Sequence, residues 1–349
     1  MKYIILRLLS ARFLSILAVF VTGTALSHAQ TVLSASSILP TNHFLTKSAL
    51  VDWGADVERV TQGRVKVNLL PKAVVAPPGT LDAVRDGLVD VAWTVHGLTS
   101  ARFVLTKIAE LPGNGDSAEQ TSVAFQRIHD RYLAKAGEHK GVKVIAVFTH
   151  GPGQILMARR PINSIEDLAG TKFRSPGGIA LEVAKSLGAI GILTPVTEIY
   201  EILSGGIVDG VFFPLDTIAS LKLEQLIKYV TIVPGGLYNS SFVVVMNEDR
   251  FNKLSKQDRD AIDSVSGEVV SRRVGRTFDA QEKISVAALT ANNVAVTTAS
   301  PAFMQALKAK TAGIEAKWIK EANAKGLDGA KVLAEFRAEI PKVRRTPKD

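Results

Sequence analysis

Residues 165–178 read Ile-Glu-Asp-Leu-Ala-Gly-Thr-Lys-Phe-Arg-Ser-Pro-Gly-Gly, and this stretch is the most informative in the chain. Residues 172–174 have the pattern of a short strand. Ser175 is typical of a helix N-cap and the proline after it of a first helical turn, so a helix is expected from here to the stop at Gly188. Arg174 is therefore predicted to be the last residue of a strand, beside a helix N-terminus.

Arg174 in that position has the chemistry to hold a carboxylate. A guanidinium offers a planar fork of N–H donors, and the first N–H groups of a helix have no partner within the helix. Both groups favour an anion at the strand end. An ordinary surface arginine would have the same local sequence, so the residues of this stretch alone leave both interpretations open.

The segments around this stretch alternate between strand and helix patterns. Residues 32–39 form a short apolar run, and residues 50–60 place Leu, Trp and Val at helical spacing. In residues 65–69, apolar and polar side chains alternate as in a strand. This order predicts α/β layers. Further on, residues 255 to about 292 carry apolar stripes at helical spacing, which predicts one long helix lying across the molecule.

Residues 81–93 and residues 200–212 repeat one pattern. Each is the end of a helix, a glycine stop, and then Leu or Ile followed by Val-Asp at the start of a strand. The pattern indicates a helix closed by a left-handed glycine and followed by a core strand, and with the chain length it predicts two lobes of similar topology. Because ligands of such sheets bind beyond the carboxyl ends of strands, residues 94–96 and 213–215 are expected at the mouth of a shared cleft.

The first 29 residues have the pattern of a secretory signal peptide. Three cations precede or flank an apolar run, residues 13–26, and Ser-His-Ala follows with small residues at the two positions that a signal peptidase reads. Cleavage is predicted after Ala29, which places the mature protein outside the cytoplasm. An uncleaved anchor is the alternative, but the apolar run is short for a membrane span, which needs about 20 residues.

The composition removes several classes of function. The chain has no cysteine, which excludes disulfides, thiolate metal sites and cysteine nucleophiles. Aromatic residues are 6% of the chain, too few for the stacking platforms that bind single-stranded nucleic acid, so no nucleic-acid partner is expected. Loss of the three cations in residues 1–29 lowers the formal net charge from +9 to +6, which fits a protein that handles anions. No paired nucleophile and base is evident from the spacing, so an enzyme is not expected.

Three passages resemble the dicarboxylate-binding-protein-like substrate-binding proteins of tripartite ATP-independent periplasmic (TRAP) transporters. The family pattern "pI-x-S-x-eDLxGxKxR-x-P" is matched by residues 161–176, which read Pro-Ile-Asn-Ser-Ile-Glu-Asp-Leu-Ala-Gly-Thr-Lys-Phe-Arg-Ser-Pro. A second passage, residues 188–214, includes Val-Asp-Gly shortly before a proline, and a third, residues 242–247, reads Phe-Val-Val-Val-Met-Asn. The resemblance covers nearly all of the mature chain.

The resemblance implies an α/β fold of the two-lobed periplasmic binding protein type, with a cleft between the lobes and a long C-terminal helix spanning both. Lobe I is expected from residues 30–151 plus 240–279, and lobe II from residues 152–239 plus 280–349. A receptor is implied that captures a small organic acid and delivers it to the small and large membrane subunits of a permease, with no cofactor and no catalysis. In that family the arginine at the position of Arg174 pairs with the ligand carboxylate.

Two positions depart from the best-known acid-binding members. Gln154 stands where some have a second cation, and Phe213 stands where many have a polar asparagine. A second ligand carboxylate would be poorly paired in such a pocket, and burying an unpaired charge is costly. Trp93, Phe212 and Tyr238 are expected to complete an aromatic wall with Phe213. We therefore expect a monocarboxylate with an aromatic or apolar body, and a C4-dicarboxylate is the alternative.

Three histidines, His43, His96 and His150, each follow a strand-like run, so all three are predicted to lie in the cleft. One role is to donate hydrogen bonds to a bound anion or to an oxygen on its ring. Three imidazoles with an open position are also a transition-metal constellation, so a secreted metal-dependent enzyme is an alternative function. No acidic residue near them is an evident fourth ligand, and no metal is expected.

Overall fold

The computed structural model describes residues 30–344, so the predicted signal peptide lies outside the described residues. The strands are β1 Thr31–Ser36, β2 Val65–Leu69, β3 Val91–Val95, β4 Val142–Thr149, β5 Gly153–Met157, β6 Lys172–Ser175, β7 Ile190–Leu193, β8 Gly210–Pro214, β9 Tyr229–Ile232, β10 Ser241–Asn247 and β11 Ala295–Thr298. The helices are α1 Phe44–Thr46, α2 Asp52–Val60, α3 Thr80–Arg85, α4 Ala118–Ile128, α5 Gly178–Ser186, α6 Ile199–Ser204, α7 Glu248–Asn252, α8 Lys256–Ser264, α9 Glu268–Ala291, α10 Pro301–Ala324 and α11 Gly329–Glu339.

The strands form two mixed sheets. The five-stranded sheet has the order β2-β1-β3-β10-β4, in which β1 is parallel to β2 and β3 while β10 is antiparallel to β3 and β4. The six-stranded sheet has the order β11-β9-β5-β8-β6-β7, in which β6 is parallel to β7 and β8 while β5 is antiparallel to β8 and β9. Helices pack against both sheets. The predicted two-lobed α/β fold is confirmed.

The chain crosses between the sheets several times rather than once. It passes from β4 to β5, returns from β9 to β10, and passes back along α9 to β11. The helix α9 packs against α4 and β4 on one side and against the short helical turn Leu215–Thr217 on the other. Likewise α10 packs against α5, and the next helix, α11, packs against α4. Several crossings explain why the sequence shows no linker between two halves.

The repeated helix–glycine–strand pattern occurs once in each sheet. Gly87 and Gly206 have φ values of +76° and +67°, so each ends its helix in the left-handed conformation that favours glycine. The aspartate that follows makes the same kind of hydrogen bond in both sheets. The Asp90 carboxylate accepts a hydrogen bond from the Ser34 N–H at 2.8 Å, and the Asp209 carboxylate accepts one from the Lys172 N–H at 2.8 Å. Each aspartate thus joins its strand to the neighbouring parallel strand.

The stretch predicted as one helix from residue 255 to about 292 is two helices, α8 and α9, so that prediction was wrong. Gly267 separates them with a φ of +59°, outside the range of a right-handed helix. Its N–H donates to the Ile145 carbonyl of β4 at 2.7 Å, which satisfies the backbone where the helix is interrupted. The interruption lets α8 pack near α2 while α9 alone spans the two sheets.

Helices cover both faces of the central strands, which explains the apolar composition of those strands. Every residue of β5, β8 and β10 is buried, as expected for strands that lie between two layers. No helix within residues 30–344 is long and apolar enough to span a membrane.

Candidate functional site

A cavity lies where the two sheets face each other. Its wall includes Trp93 and Val95 of β3 from one sheet, and Phe213 and Pro214 of β8 together with Arg174 of β6 from the other. Of the residues predicted at the mouth of the cleft, Val95, Phe213 and Pro214 line the cavity, whereas Thr94, His96 and Leu215 do not. The remaining lining residues are Ile38, Leu39, His43, Leu45, His150, Pro176, Val196, Thr217, Tyr238, Ser240, Phe242 and Phe278. Two larger depressions lie on the outer surface, and no residue of this wall lines either of them.

Arg174 is a buried cation in this wall. The residue is only 3% exposed, and its Nε–H donates to the Thr194 carbonyl at 2.9 Å. Burial lowers the pKa of Arg174 to about 10, so the guanidinium is still charged at neutral pH. Within residues 30–344 no carboxylate forms an ion pair with it. A charge buried in this way is costly unless it is paired, so the Arg174 guanidinium is suited to an anionic ligand.

The backbone after Arg174 differs from the predicted helix start. Ser175 stays in β6, where it pairs with Leu193 of β7, and the helix α5 begins only at Gly178. Gly177 has a φ of +91°, and a Cβ there would lie 2.4 Å from the Gly97 carbonyl oxygen. The prediction of Ser175 as N-cap was therefore wrong. The left-handed glycine turns the chain and lets it pass close to the first sheet.

The start of α5 is held by a buried acid that sequence reasoning missed. Glu110 is 2% exposed, and its Oε2 accepts a hydrogen bond from the Ile179 N–H at 3.0 Å. Its Oε1 accepts one from the Ser241 hydroxyl at 2.6 Å. Burial raises the pKa of Glu110 above its ordinary value. The Ile179 N–H is thus committed to Glu110, and the helix N-terminus is less free for a ligand carboxylate than the local sequence indicated.

The aromatic wall differs in part from the predicted one. Trp93, Phe213 and Tyr238 line the cavity as expected, and the Arg174 Cζ lies 5.7 Å from the centre of the Phe213 ring. Phe212 does not line it, because its side chain points to the opposite face of β8 and stacks on Phe173 with ring centres 4.2 Å apart. Adjacent residues of a strand point to opposite faces, so only one of the two phenylalanines can face the cavity.

Two further aromatic residues that were not predicted line the cavity. Phe242 is the second residue of β10, and its ring centre lies 6.1 Å from that of Trp93. Phe278 is part of the apolar stripe of α9, and its ring centre lies 6.1 Å from that of Phe242. In the sequence, Phe278 belongs to the apolar helical stripe and Phe242 to the third family passage. Only the packing of α9 and β10 against the other walls shows that they also face the cavity.

The three histidines do not converge. His43 and His150 line the cavity, but His96 is buried elsewhere, with its Nδ1 2.9 Å from the Ser241 hydroxyl and its Nε2 2.9 Å from Nε2 of His139. The prediction that all three share the cleft was wrong. The described part of the chain contains no group of three or more His, Cys, Asp or Glu side chains placed to hold a metal ion.

His150 uses both of its ring nitrogens within the protein. Its Nδ1 lies 2.5 Å from the Gly151 carbonyl, and its Nε2 accepts a hydrogen bond from the Ser240 N–H at 3.0 Å. Nδ1 therefore carries the proton, since a carbonyl can only accept. Burial lowers the pKa of His150 to about 4, so the ring is neutral near pH 7. The ring shapes the cavity wall without a free polar hydrogen.

Gln154 lies outside the cavity wall. Its side-chain oxygen accepts a hydrogen bond from the Val233 N–H at 2.6 Å, and the residue is 3% exposed. Gln154 therefore joins β5 to the segment after β9. The absence of a second cation at this position remains relevant, because Arg174 is the only Lys or Arg among the described lining residues.

Asp216 is a second buried acid near the site that the sequence did not reveal. It is 2% exposed and accepts hydrogen bonds from the Gly151 N–H at 3.0 Å and from the Thr217 hydroxyl at 2.6 Å. Burial raises the pKa of Asp216 to about 7. Its bonds tie the turn after β8 to the segment that leads into β5, beside the cavity.

A cavity between two helix-covered sheets, lined by a buried cation and aromatic side chains, is typical of a solute-binding protein. In that class a ligand is held between two lobes. The model of the bacterial extracellular solute-binding proteins of family 7, the DctP family, matches residues 35–321. This chain belongs to that family. The family's members are periplasmic solute receptors rather than enzymes, and the TRAP resemblance seen in the sequence is confirmed.

This chain is similar to three known proteins over most of its length. The outer membrane transporter protein TsaT of Comamonas testosteroni is 33% identical over 305 residues, which are 87% of this chain and 90% of that one. A TRAP periplasmic solute-binding protein of Bordetella bronchiseptica, solved with bound (R)- and (S)-mandelate, is 42% identical, with a TM-score of 0.87 and coverage of 89% of this chain and 99% of that chain. A marine metagenome TRAP solute-binding protein specific for aromatic acids, solved with 3-hydroxybenzoate, is 33% identical, with a TM-score of 0.83 and coverage of 90% and 98%.

Proposed function

We propose that this protein is the receptor of a TRAP transporter for a small monocarboxylic acid with an aromatic body, and that Arg174 pairs with the acid's carboxylate. The observation that carries the proposal is the buried Arg174 guanidinium, which faces a cavity between the sheets and has no carboxylate partner within residues 30–344. A bidentate pair of this kind supplies both affinity and orientation. The nonpolar lining supplies favourable burial for the rest of the ligand.

A monocarboxylate is favoured over a C4-dicarboxylate by the charges of the wall. Arg174 is the single lysine or arginine among the described lining residues, and burial keeps His43 and His150 neutral near pH 7 by lowering each pKa to about 4. A second ligand carboxylate would have to lose its water without gaining a cationic partner. Rings at Trp93 and Phe213 instead offer contact to an aromatic body.

The similar structures support the same ligand class. The Bordetella bronchiseptica protein was solved with mandelate and the metagenome protein with 3-hydroxybenzoate, and both ligands have one carboxylate and one ring. This chain is similar to both over nearly its whole mature length. The shared shape and the aromatic lining favour an aromatic acid here as well.

The proposed route of the ligand follows from the proposed signal peptide and the family. Cleavage after Ala29 would release the mature receptor into the periplasm, where it would carry the acid to the small and large membrane subunits of a permease. In this proposal, lobe I comprises residues 30–151 plus 240–279 and lobe II comprises residues 152–239 plus 280–349. The acid would lie between the lobes, against Arg174 of lobe II and Trp93 of lobe I.

A thermal-shift panel with purified protein tests the proposed ligand class. Aromatic monocarboxylates should raise the melting temperature, whereas succinate, malate and fumarate should not. A ligand at 100 times its Kd stabilises a protein by about 2.7 kcal/mol, which such a panel detects readily. Stabilisation by C4-dicarboxylates without any by aromatic acids would overturn the proposed ligand class, and conversion of the acid during incubation would overturn the receptor function.

A further inference from the structure

His43 has a defined proton position. It is the N-cap of α1, and its Nδ1 accepts a hydrogen bond from the Leu45 N–H at 3.2 Å. A neutral imidazole has one N–H and one acceptor nitrogen, so the proton of His43 is on Nε2. Burial lowers the pKa of His43 to about 4, and the ring is therefore neutral near pH 7.

The Nε2–H of His43 is weakly used within the protein. Its nearest partner among the described residues is the Ser220 hydroxyl at 3.4 Å, at the long end of the range for a hydrogen bond. The Ser220 hydroxyl donates its own proton to the Thr217 carbonyl at 3.0 Å, so it can only accept from His43. The residue also lines the cavity that contains Arg174. A better-placed acceptor within the cavity would accept the hydrogen bond from this N–H in place of the Ser220 hydroxyl.

The polar hydrogens on the other aromatic side chains of the wall already donate to groups of the protein. The Trp93 Nε1–H donates to the Ser37 hydroxyl at 3.0 Å, and the Tyr238 hydroxyl donates to the Phe212 carbonyl at 2.8 Å. The single proton of the His150 ring donates to the Gly151 carbonyl. The Ser240 hydroxyl also lines the cavity, but a hydroxyl both donates and accepts and so discriminates little between ligand groups.

We infer that the His43 Nε2–H donates to a hydroxyl or keto oxygen on the body of the ligand, so that the receptor selects aromatic acids that carry such an oxygen over those that lack it. This inference rests on the proposed function, because it assumes that the acid is held in this cavity by Arg174. His43 is then a specificity-determining residue. A neutral donor suits an uncharged oxygen, whereas a second carboxylate would need a cation.

Two pairs of acids that differ in one oxygen test the inference by isothermal titration calorimetry. Mandelate is compared with phenylacetate, and 3-hydroxybenzoate with benzoate. In the wild-type protein, the oxygen-bearing acid of at least one pair should bind about tenfold more tightly than its partner, the factor expected from one hydrogen bond. The same titrations are then made with three variants.

The variants separate the N–H from the other roles of His43. In His43→Asn, the side-chain oxygen can still cap α1, but the Nε2–H is gone, and the preference should fall below about threefold. His43→Phe keeps an aromatic ring and should lose the preference in the same way. Ser220→Ala leaves the His43 N–H in place and should keep the preference. In Ser220→Ala, the acid without the extra oxygen should bind about as tightly as it binds the wild type. In the two His43 variants the readout is the ratio of the two affinities within each pair.

The outcomes distinguish this inference from the proposed function. Equal affinity within both pairs in the wild type, or a preference that survives in both His43 variants, overturns the role of His43 while the aromatic-acid receptor stands. Failure of the wild-type protein to bind any of the four acids overturns the proposed function and this inference with it.

Discussion

The Glu110 carboxylate accepts a hydrogen bond from the Ile179 N–H at 3.0 Å, and this bond joins the first sheet's lobe to the first turn of α5. The helix α5 follows Arg174 after only three residues. The bond therefore fixes the backbone that carries the proposed ligand-binding arginine. The second bond of Glu110, to the Ser241 hydroxyl, fixes the acid itself.

Glu110→Ala should lower both stability and ligand affinity. It leaves the Ile179 N–H and the Ser241 hydroxyl without their acceptor, and a buried unsatisfied group costs about 1 to 3 kcal/mol. Urea unfolding measures the loss of stability, and calorimetry with mandelate measures the affinity. Glu110→Gln is the matched control, because its amide can accept from Ile179 and donate to Ser241, so its loss should be clearly smaller. Equal stability of all three proteins would show that the contact has no energetic role.

Arg174→Ala should abolish binding of aromatic acids and leave the fold intact. The guanidinium makes the proposed charge-assisted pair with the carboxylate, and its loss should weaken binding by about a hundredfold or more. Arg174→Lys should also bind poorly, because an ammonium does not reproduce the planar fork. Arg59→Ala, at a side chain 67% exposed, is the control and should bind normally. Calorimetry that finds near-native affinity in Arg174→Ala would remove the proposed carboxylate site.

Gly177→Ala should be destabilising and should weaken ligand binding. Its φ of +91° is strained for alanine, and the added Cβ would lie 2.4 Å from the Gly97 carbonyl oxygen. We expect the free energy of unfolding to fall by about 2 kcal/mol or more. Gly313→Ala, within α10 and with no atom within 4 Å of the added Cβ, is the control and should be neutral or stabilising. A Gly177→Ala protein as stable as the control would contradict the close approach of the two segments.

Asp216 should make stability depend on pH. Its pKa is raised from 3.8 to about 7 by burial, so the folded state holds a proton that the unfolded state has lost. Its contribution is therefore most favourable below about pH 4 and is lost as the pH rises towards 7, with a slope of at most about 1.4 kcal/mol per pH unit.

The Asp216 effect is measured as a difference between two proteins. Asp216→Asn can keep both hydrogen bonds, with its oxygen accepting from the Gly151 N–H and its amide donating to the Thr217 hydroxyl. The free energy of unfolding of the wild type, minus that of Asp216→Asn, should fall between pH 4 and pH 7. Histidine titrations are common to both proteins and cancel. A difference that is flat over this range would show that Asp216 titrates normally.

Dialysis against a chelator should leave ligand binding unchanged. Both ring nitrogens of His150 and both of His96 contact groups of the protein, so neither ring is free to bind a metal together with His43. Elemental analysis before dialysis and calorimetry before and after it measure the effect. A stoichiometric zinc, nickel or copper ion whose removal also removes binding would favour the metal-dependent alternative.

Much of the fold was predictable because its signals are local. Helix and strand patterns, the two glycines at 87 and 206, and the three family passages lie within short stretches of sequence, and they predicted the two α/β lobes. The place of Arg174 at a strand end was predicted from its immediate neighbours. The signal peptide and the lobe boundaries stay predictions, as does the contact of each lining residue with a ligand.

The interior of the site was less predictable because it depends on contacts between distant parts of the chain. Phe212 and Phe213 have the same chemistry, and only the orientation of β8 decides that Phe213 faces the cavity. His96 is held by Ser241, 145 residues away in sequence, and Gln154 is held by Val233. The residues next to His96 and Gln154 in the sequence do not indicate these distant partners.

The class of fold, the family and the arginine at the strand end were predictable from short stretches of sequence, since periodicity, turn residues and motifs are properties of neighbouring residues. Which rings face the cavity, which histidine keeps an N–H for other partners, and the bond from Glu110 to α5 became evident only in the folded molecule. Burial and hydrogen bonding depend on which distant segments pack together, and the pairing of the two sheets is established only when the whole chain has folded.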